Sequence, residues 1–260
     1  MAMLATLPPC SQTPEPGSME LHQFKHSAFC EKVRLVLAAK GLEATLVEVV
    51  PGLGQLELFR LSGQRQVPVL VDGSEVIADS TDIALHLEKR HPLPALLPAD
   101  PRARSQVLLL EDWADTALAS SCRRALLQAA ATNPKLRTAL LPEATPSSLR
   151  QLVGALPGGL MGSVTDTLGS LLAPMEARQL HRNLEQVSSL VASTGHVVGD
   201  QLSLADVAVV AQLSLLRFPA SAGAALAGEG VSGIADNPLF QPLFSWRDGI
   251  LERLTARRAA

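Results

Sequence analysis

Short apolar runs alternate with a helical pattern in the first fifty residues. Met19–Phe24 is an apolar run and Ala44–Val50 is rich in β-branched residues, and both patterns predict buried strands. Between them, residues at helical spacing predict a helix that ends at Gly41, a residue suited to the C-terminal cap. The positions that carry this spacing are Phe29, Val33, Val36, Leu37 and Lys40.

The pattern then changes to a hairpin followed by a second helix. A single helical turn is predicted around Leu56–Leu61. Val67–Val71 and Glu75–Ile77 flank Asp72-Gly73, a dipeptide that favours tight turns between antiparallel strands. An amphipathic helix follows over Thr81–Arg90. The order β-α-β-(α)-β-β-α is the ground plan of a thioredoxin-like α/β domain.

A proline-rich connection separates this unit from a chain that is helical in pattern. We predict a disordered tail over residues 1–18, a thioredoxin-like domain over 19–91, a linker over 92–102 and an all-α helical bundle over 103–260. The fold class is therefore an α/β domain followed by an all-α domain.

The helical bundle is predicted from four apolar stripes. These are Arg102–Ala131, Pro174–Ser193 with its proline in the first turn, Leu204–Leu216, and a last helix from Pro242 to Arg257. Leu204–Leu216 is apolar on most sides and is expected to be buried. The stretch Pro142–Gly159 is rich in Pro, Ser and Gly and predicts a mobile loop.

Composition narrows the class of protein. The net charge is −3 and basic residues form no stripe, which argues against nucleic acid and anionic membrane as partners. Three cysteines show no metal or disulfide spacing, so we expect no metal and a reducing, cytoplasmic location. No apolar run reaches the roughly 18 residues of a membrane span. Lys25 is the first lysine or arginine, which predicts no targeting signal. The chain contains no tyrosine.

Ser27 and Cys30 stand at the start of the first helix and are the first candidates for chemistry. A helix N-terminus offers unpaired N–H groups and a positive dipole end, which stabilise an anion such as a thiolate. In a thioredoxin-like domain the residue at the turn faces the ligand, and the residue three positions later points to the core. Ser27 can therefore donate a hydrogen bond to a ligand's sulfur. The alternatives are that Ser27 is only a helix cap and Cys30 only a small apolar residue.

Three further motifs follow along the chain. Pro68 opens a strand that looks central, which is explained if Val67–Pro68 is cis and presents the backbone of Val67 to a ligand. The alternative is a proline in an edge strand. Asp79 and Ser80 precede the second helix, where they can hold the ammonium and carboxylate groups of a ligand or simply cap the helix. Ser203 and Asp206 have capping-box spacing and are predicted to be structural.

Taken together, these motifs resemble those of the soluble glutathione transferases over nearly the whole chain. They are S-x-x-C-x-K-V-R-x-x-L-x-x-K-G-L at Ser27–Leu42, Q-V-P-V-L at Gln66–Leu70, D-S at Asp79-Ser80 and G-D-x-L-S-L-A-D at Gly199–Asp206. The resemblance implies glutathione as co-substrate, bound mainly by the first domain, a small hydrophobic electrophile held against the second, and a homodimer.

The resemblance also implies roles for individual residues. Ser27 matches the position that activates the glutathione sulfur, Val67 pairs with the cysteinyl backbone ahead of cis-Pro68, and Ser80 binds the γ-glutamyl carboxylate. Asp79 stands where the family often has Glu or Gln, and Gln66 occupies a position that is often basic. The remaining expected contacts are Phe29 and Arg65 to glutathione. Asp112 and Trp113 are expected at the wall near the second substrate, with packing in the core as the alternative.

Three functions stay open on these residues. The first is an enzyme that ionises glutathione through Ser27 and directs it at an electrophile or a peroxide. The second is a non-catalytic protein that keeps the fold for binding or scaffolding. The third is a thiol transferase or isomerase that uses Cys30.

Overall fold

A small mixed sheet and a larger set of helices form the molecule, for which the computed structural model describes residues 19–49, 53–142, 145–155 and 166–259. The predicted tail over residues 1–18 lies outside the described residues. The strands are β1 (Met19–Gln23), β2 (Thr45–Glu48), β3 (Val69–Asp72) and β4 (Glu75–Ala78). The helices interleaved with them are α1 (Ala28–Ala39), α2 (Leu53–Ser62) and α3 (Ser80–Arg90).

The remaining described elements are helical, which confirms the fold class of a thioredoxin-like α/β domain followed by a helical domain. They are α4 (Pro101–Trp113), a π-helical turn (Ala114–Leu118), α5 (Ala119–Thr132), α6 (Pro134–Ala139), α7 (Ser147–Ala155), α8 (Asp166–Thr194), α9 (Leu204–Leu216), two 3-10 turns (Ala220–Ala222 and Pro238–Phe240) and α10 (Gln241–Ala259).

The sheet has the strand order β2-β1-β3-β4. β2 runs parallel to β1, while β3 and β4 are antiparallel to their neighbours. The register places His22 opposite Val69, and Val69 opposite Ala78. The C-terminal ends of β1 and β4 therefore lie at the same edge of the sheet as the N-terminal end of β3, which decides where the loops of the candidate site meet.

The core joins the two domains through α1 and α9. All thirteen residues of α9 are buried, as its largely apolar sequence predicts. It begins at a complete capping box, in which the Ser203 hydroxyl accepts from the Asp206 N–H at 3.4 Å and the Asp206 carboxylate accepts from the Ser203 N–H at 2.8 Å. This confirms the structural role predicted for the motif. α1 packs against α3 on one side and against α9 and α10 on the other.

Buried Lys40 holds the connection between the domains. Its ammonium group lies 2.6 Å from the Glu88 carboxylate and donates to the carbonyls of His91 at 2.7 Å and Pro94 at 3.0 Å. Glu88 in turn accepts from the backbone N–H of Leu96 at 3.0 Å. One buried ion pair thus fixes the backbone of residues 91–96.

Four predicted elements differ from the structure. The turn expected at Leu56–Leu61 is the ten-residue helix α2. The loop expected over Pro142–Gly159 contains α7, whose Leu149 and Leu152 stand three apart, as a helix requires. The helix expected from Pro174 begins eight residues earlier, so Pro174 is not in its first turn. The helix Arg102–Ala131 is interrupted by the π-helical turn, which periodicity cannot reveal.

Candidate functional site

Three loops meet at one end of the sheet. The register of β1, β3 and β4 brings together the turn after β1, the residues before β3 and the residues after β4. These loops carry Ser27, the Val67–Pro68 peptide and the Asp79-Ser80 pair, respectively. The topology therefore assembles three of the sequence motifs at a single edge.

Ser27 is the N-terminal cap of α1. Its backbone is extended (φ −82°, ψ 124°), and its hydroxyl accepts from the Cys30 N–H at the long distance of 3.4 Å. The side chain is partly exposed. A hydroxyl at this position retains its proton for donation to a ligand, and the adjacent end of the helix dipole favours negative charge there.

Cys30 lies one turn further into α1 and has no exposed surface. Its Sγ accepts from the backbone N–H of Phe24 at 3.4 Å. Burial raises the pKa of this thiol, an effect that exceeds the opposing hydrogen bonds from Phe24 and Ser27. Cys30 is therefore packed and protonated, whereas Ser27 reaches solvent.

The loop before β3 contains the predicted cis peptide bond. Val67–Pro68 is cis, which confirms that expectation, and Val67 is only partly buried while Pro68 is buried. Gln66 and Arg65 are exposed. The guanidinium of Arg65 lies 5.5 Å from the ring centroid of Phe59 on α2, a stacking contact that directs it along the protein surface.

Asp79 and Ser80 occupy the start of α3 in different ways. Asp79 is exposed, has a positive φ of 80°, and its carboxylate accepts from the N–H groups of Thr81 at 2.8 Å and Asp82 at 3.3 Å. Ser80 is buried, and its hydroxyl points inward to the Asp115 carboxylate at 3.3 Å. The structure thus brings both residues to the site, with Asp79 engaged in capping its own helix.

Beneath the site lies a buried charge cluster that the sequence analysis did not single out. The ammonium of Lys32, fully buried on α1, bonds to the hydroxyl of Thr81 at 3.0 Å, to Asp115 at 2.6 Å and to Glu111. It also lies 3.4 Å from the Ser80 hydroxyl. The cluster connects the second turn of α1 and the first turn of α3 to α4 and the π-helical turn of the second domain.

A sequence signal for this cluster exists. Lys32 shares a helical face with the apolar residues Ala28, Leu35 and Ala39, and a lysine on such a face needs acidic partners elsewhere in the fold. Which acidic residues those are depends on the packing of α4 against α1 and cannot be obtained from spacing alone.

A crevice of about 490 Å³ opens beside Ser27. Its lining is mostly apolar and includes Ala211 of α9, Phe218 just after it and Leu251 of α10. His26 also lines the crevice. Its ring lies edge-on to that of Phe218, with the two ring centroids 6.2 Å apart. The crevice joins the capping serine of the first domain to an apolar wall of the second.

Asp112 and Trp113 do not line this crevice. Asp112 is exposed and its carbonyl accepts from the Thr116 hydroxyl at 2.7 Å, while Trp113 packs against the core. Further along this helical run, the Arg123 guanidinium stands 5.8 Å from the ring centroid of Phe29 in the first turn of α1.

Asp72, Glu75 and His86 form the group of described residues whose spacing could suit a metal ion. His86 Nε2 lies 2.9 Å from Asp72 and 3.9 Å from Glu75. The guanidinium of Arg90, however, contacts Glu75 at 2.9 Å and Asp72 at 3.6 Å, and so already supplies a cation. We interpret this group as an ion-pair network that ties the β3–β4 hairpin to α3.

Comparison with known proteins finds its matches mainly in the first domain. Residues 21–95 match the family described as glutathione S-transferase, N-terminal domain. A stringent starvation protein A homolog from Pasteurella multocida is 35% identical over 100 residues, which cover 36% of this chain and 47% of that protein. Glutathione S-transferase theta-3 from Mus musculus is 31% identical over 142 residues, or 53% of this chain and 59% of that protein. The chain thus spans about half the length of the curated relatives it matches.

A solved structure extends the likeness of fold to both domains. The beta-etherase LigF from Sphingobium sp. strain SYK-6 superposes with a TM-score of 0.65, covering 92% of this chain and 99% of that one at 19% sequence identity. At this identity the likeness concerns the fold. In the part of the chain that the structure describes, every helix is too short or too polar to cross a membrane.

Proposed function

We propose that this chain, a member of the soluble glutathione S-transferase family by its N-terminal domain and its fold, binds glutathione and stabilises its thiolate through the hydroxyl of Ser27. The observation that carries the proposal is the contrast at the start of α1. The serine is partly exposed and lines a crevice, whereas the cysteine one turn later has no exposed surface.

The physical basis is the lowering of a bound thiol's pKa. A hydroxyl that donates to sulfur and the positive end of α1 both favour the thiolate over the thiol. The thiolate is the nucleophile, so a larger thiolate fraction near neutral pH raises the rate of attack. Placement of the electrophile against the same helix end adds the advantage of proximity.

The expected reaction is nucleophilic attack by the glutathione sulfur on a small electrophile. A bond forms between sulfur and an electrophilic carbon, the leaving group departs with its electron pair, and the thiol proton passes to solvent. The apolar lining of the crevice, including Ala211, Phe218 and Leu251, supports a small hydrophobic second substrate. A peroxide is the alternative electrophile for the same thiolate.

The test is a titration of the purified protein with glutathione, following heat and the ultraviolet absorbance of the thiolate across pH. We expect binding with a thiolate that appears well below the pKa of free glutathione, and Ser27→Ala should lose that thiolate while it still binds. Cys30→Ala is the matched control and should retain it. A Ser27→Ala protein that ionises glutathione as well as the parent would overturn the proposal.

A non-catalytic binding protein is the second candidate function. The observation that favours it is Asp79, whose carboxylate is engaged with the first turn of α3 at the expected place of a ligand carboxylate. Glutathione that binds without any change in its thiol pKa would favour this candidate. A thiol transferase or isomerase that uses Cys30 would require the thiol to become accessible, and would lose its activity in Cys30→Ser.

We further propose a homodimer in the cytoplasm. Leu109 on α4 and Leu127 on α5 are 70% and 63% exposed in the single chain, and association through these helices would cover both side chains. Sedimentation of the purified protein as a monomer at micromolar concentration would contradict the dimer.

A further inference from the structure

The start of α3 is held in an unusual conformation by one residue. Asp79 adopts φ 80° and ψ 136°, a region that residues other than glycine rarely occupy. Its Oδ1 atom accepts from the N–H groups of Thr81 at 2.8 Å and Asp82 at 3.3 Å. Two of the N–H groups that a helix leaves free at its N-terminus are thus satisfied by a carboxylate of the same chain.

The residue type itself explains this contact. Aspartate is among the best N-caps because its short side chain reaches the second and third N–H groups of the helix. Glutamate and glutamine, which the glutathione transferases often carry at this position, have one more methylene and are not favoured caps. Shortening the side chain therefore converts a group that can extend to a ligand into one that folds back onto α3.

The local charge points the same way. The first turn of α3 already carries the exposed carboxylate of Asp82, beside that of Asp79. The hydroxyl of Ser80 is turned inward to Lys32 and Asp115 instead of outward. A ligand carboxylate that approaches this helix end meets two negative charges and two N–H groups that are already occupied.

We propose that Asp79 is an internal competitor for the γ-glutamyl carboxylate of glutathione and does not accept its ammonium group. This inference rests on the proposed function, because it concerns affinity at the same site. It predicts that the chain binds glutathione weakly, and that removal of the Asp79 side chain strengthens binding. An ammonium acceptor at position 79 would produce the opposite sign, since its removal would weaken binding.

Three variants separate the effect of the capped N–H groups of α3 from the effect of negative charge beside them. Asp79→Gly removes the side chain, suits the positive φ and costs little as an N-cap. Asp79→Asn keeps a capping oxygen and removes the charge. Asp82→Asn removes the neighbouring charge and leaves the cap in place, so it serves as the matched control.

The first measurement is amide hydrogen exchange without ligand. Thr81 and Asp82 should be protected in the parent and in Asp79→Asn, and should exchange rapidly in Asp79→Gly. Rapid exchange of both amides in the parent would overturn the inference without touching the proposed function.

The second measurement is calorimetric titration with glutathione and with the analogue whose γ-glutamyl α-carboxylate is an amide. We expect Asp79→Gly to bind glutathione about tenfold tighter, as recovery of charge-assisted hydrogen bonds would allow. Asp79→Asn should gain about threefold and Asp82→Asn less than about twofold, as removal of an exposed charge allows. The amide analogue should show no gain in Asp79→Gly.

The outcomes distinguish the two proposals. Weaker glutathione binding in Asp79→Gly and Asp79→Asn, or an equal gain for the amide analogue, would overturn the competitor role and leave the proposed function standing. Folded parent and variant proteins that all fail to bind glutathione at millimolar concentration would overturn the proposed function, and the competitor role with it.

Discussion

The N-termini of α1 and α3 meet at the same edge of the sheet and are built from the same physical device, yet they differ in what they leave free. α1 is capped by a neutral hydroxyl at 3.4 Å, and that hydroxyl stays partly exposed beside a crevice. α3 is capped by a carboxylate at 2.8 Å and 3.3 Å from two N–H groups. One helix end remains available to an anion, whereas the other already holds one.

The difference shows that a capping residue decides more than helix stability. Serine and aspartate are comparable caps in energy. The hydroxyl of serine can still donate to a ligand, whereas an ionised carboxylate only accepts. The choice between two equivalent caps therefore determines which helix end stays open to an anionic ligand.

The largest expected effect comes from removing Lys32, the buried cation that links α1 and the start of α3 to the helical domain. Lys32→Met would leave the carboxylates of buried Glu111 and half-buried Asp115 without their cation, and we expect the free energy of unfolding to fall by about 3–5 kcal/mol. Urea unfolding measures the loss. The combined variant with Glu111→Gln and Asp115→Asn should recover most of it, and a single variant within about 1 kcal/mol of the parent would show that the cluster does not bind the domains.

The next effect comes from giving α1 the cap of α3. Ser27→Asp should preserve the helix, because aspartate caps as well as serine, but its charge would repel a thiolate and it could not donate. We expect kcat/KM with a model electrophile to fall about a hundredfold or more, as loss of one donor to a developing anion does elsewhere. Ser27→Thr, which keeps the hydroxyl, should retain most of the activity. Equal activity of Ser27→Asp and the parent would show that a serine cap and an aspartate cap do not differ in their effect on catalysis.

A smaller effect on stability should separate the cap of Asp79 from its backbone strain. Asp79→Ala loses the cap and keeps a side chain at positive φ, so we expect a loss of about 1–2 kcal/mol. Asp79→Gly relieves the strain and should lie near the parent. Thermal unfolding of both variants provides the measurement, and an equal loss in the two would show that the positive φ carries no strain.

The smallest expected effect concerns Cys30, which lies one turn into α1. Burial raises the pKa of Cys30, so at pH 8 its thiolate fraction should be below that of an exposed cysteine. Iodoacetamide should label Cys30 at least about tenfold more slowly in the folded protein than in urea, as followed by peptide mass spectrometry. Rapid labelling of the folded protein would show that the Cys30 thiol is accessible and would make it a candidate catalytic group again.

The sequence predicted the elements that carry a strong periodicity or a specific local motif. The strands around α1, the Asp72-Gly73 hairpin, the cis Val67–Pro68 bond and the fully buried α9 are all present. It failed where a local composition signal outweighed periodicity. Abundant Pro, Ser and Gly suggested a loop, although Leu149 and Leu152 in α7 already carried helical spacing.

Residues of the candidate site were predictable where one chain segment decides their position. Ser27 and Asp79 could be assigned to helix starts, since capping is a local property. The contacts of Lys32 with Glu111 and Asp115 were not predictable, because they depend on how α4 packs against α1. For the same reason, the sequence could not show whether Asp112 and Trp113 line the crevice. The face of a helix that borders a site is known only once the helices packed against it are known.

The complete burial of α9 bears on how such chains can be recombined. Its apolar surface is covered on one side by α1 and on others by α4, α5 and α10, so neither domain supplies its whole environment. A chimera made by exchanging domains at residues 91–100 would pair an inherited α9 with a foreign α1. Successful exchange would therefore require the face of α1 that packs against α9 to travel with the helical domain, although α1 is distant from that domain in sequence.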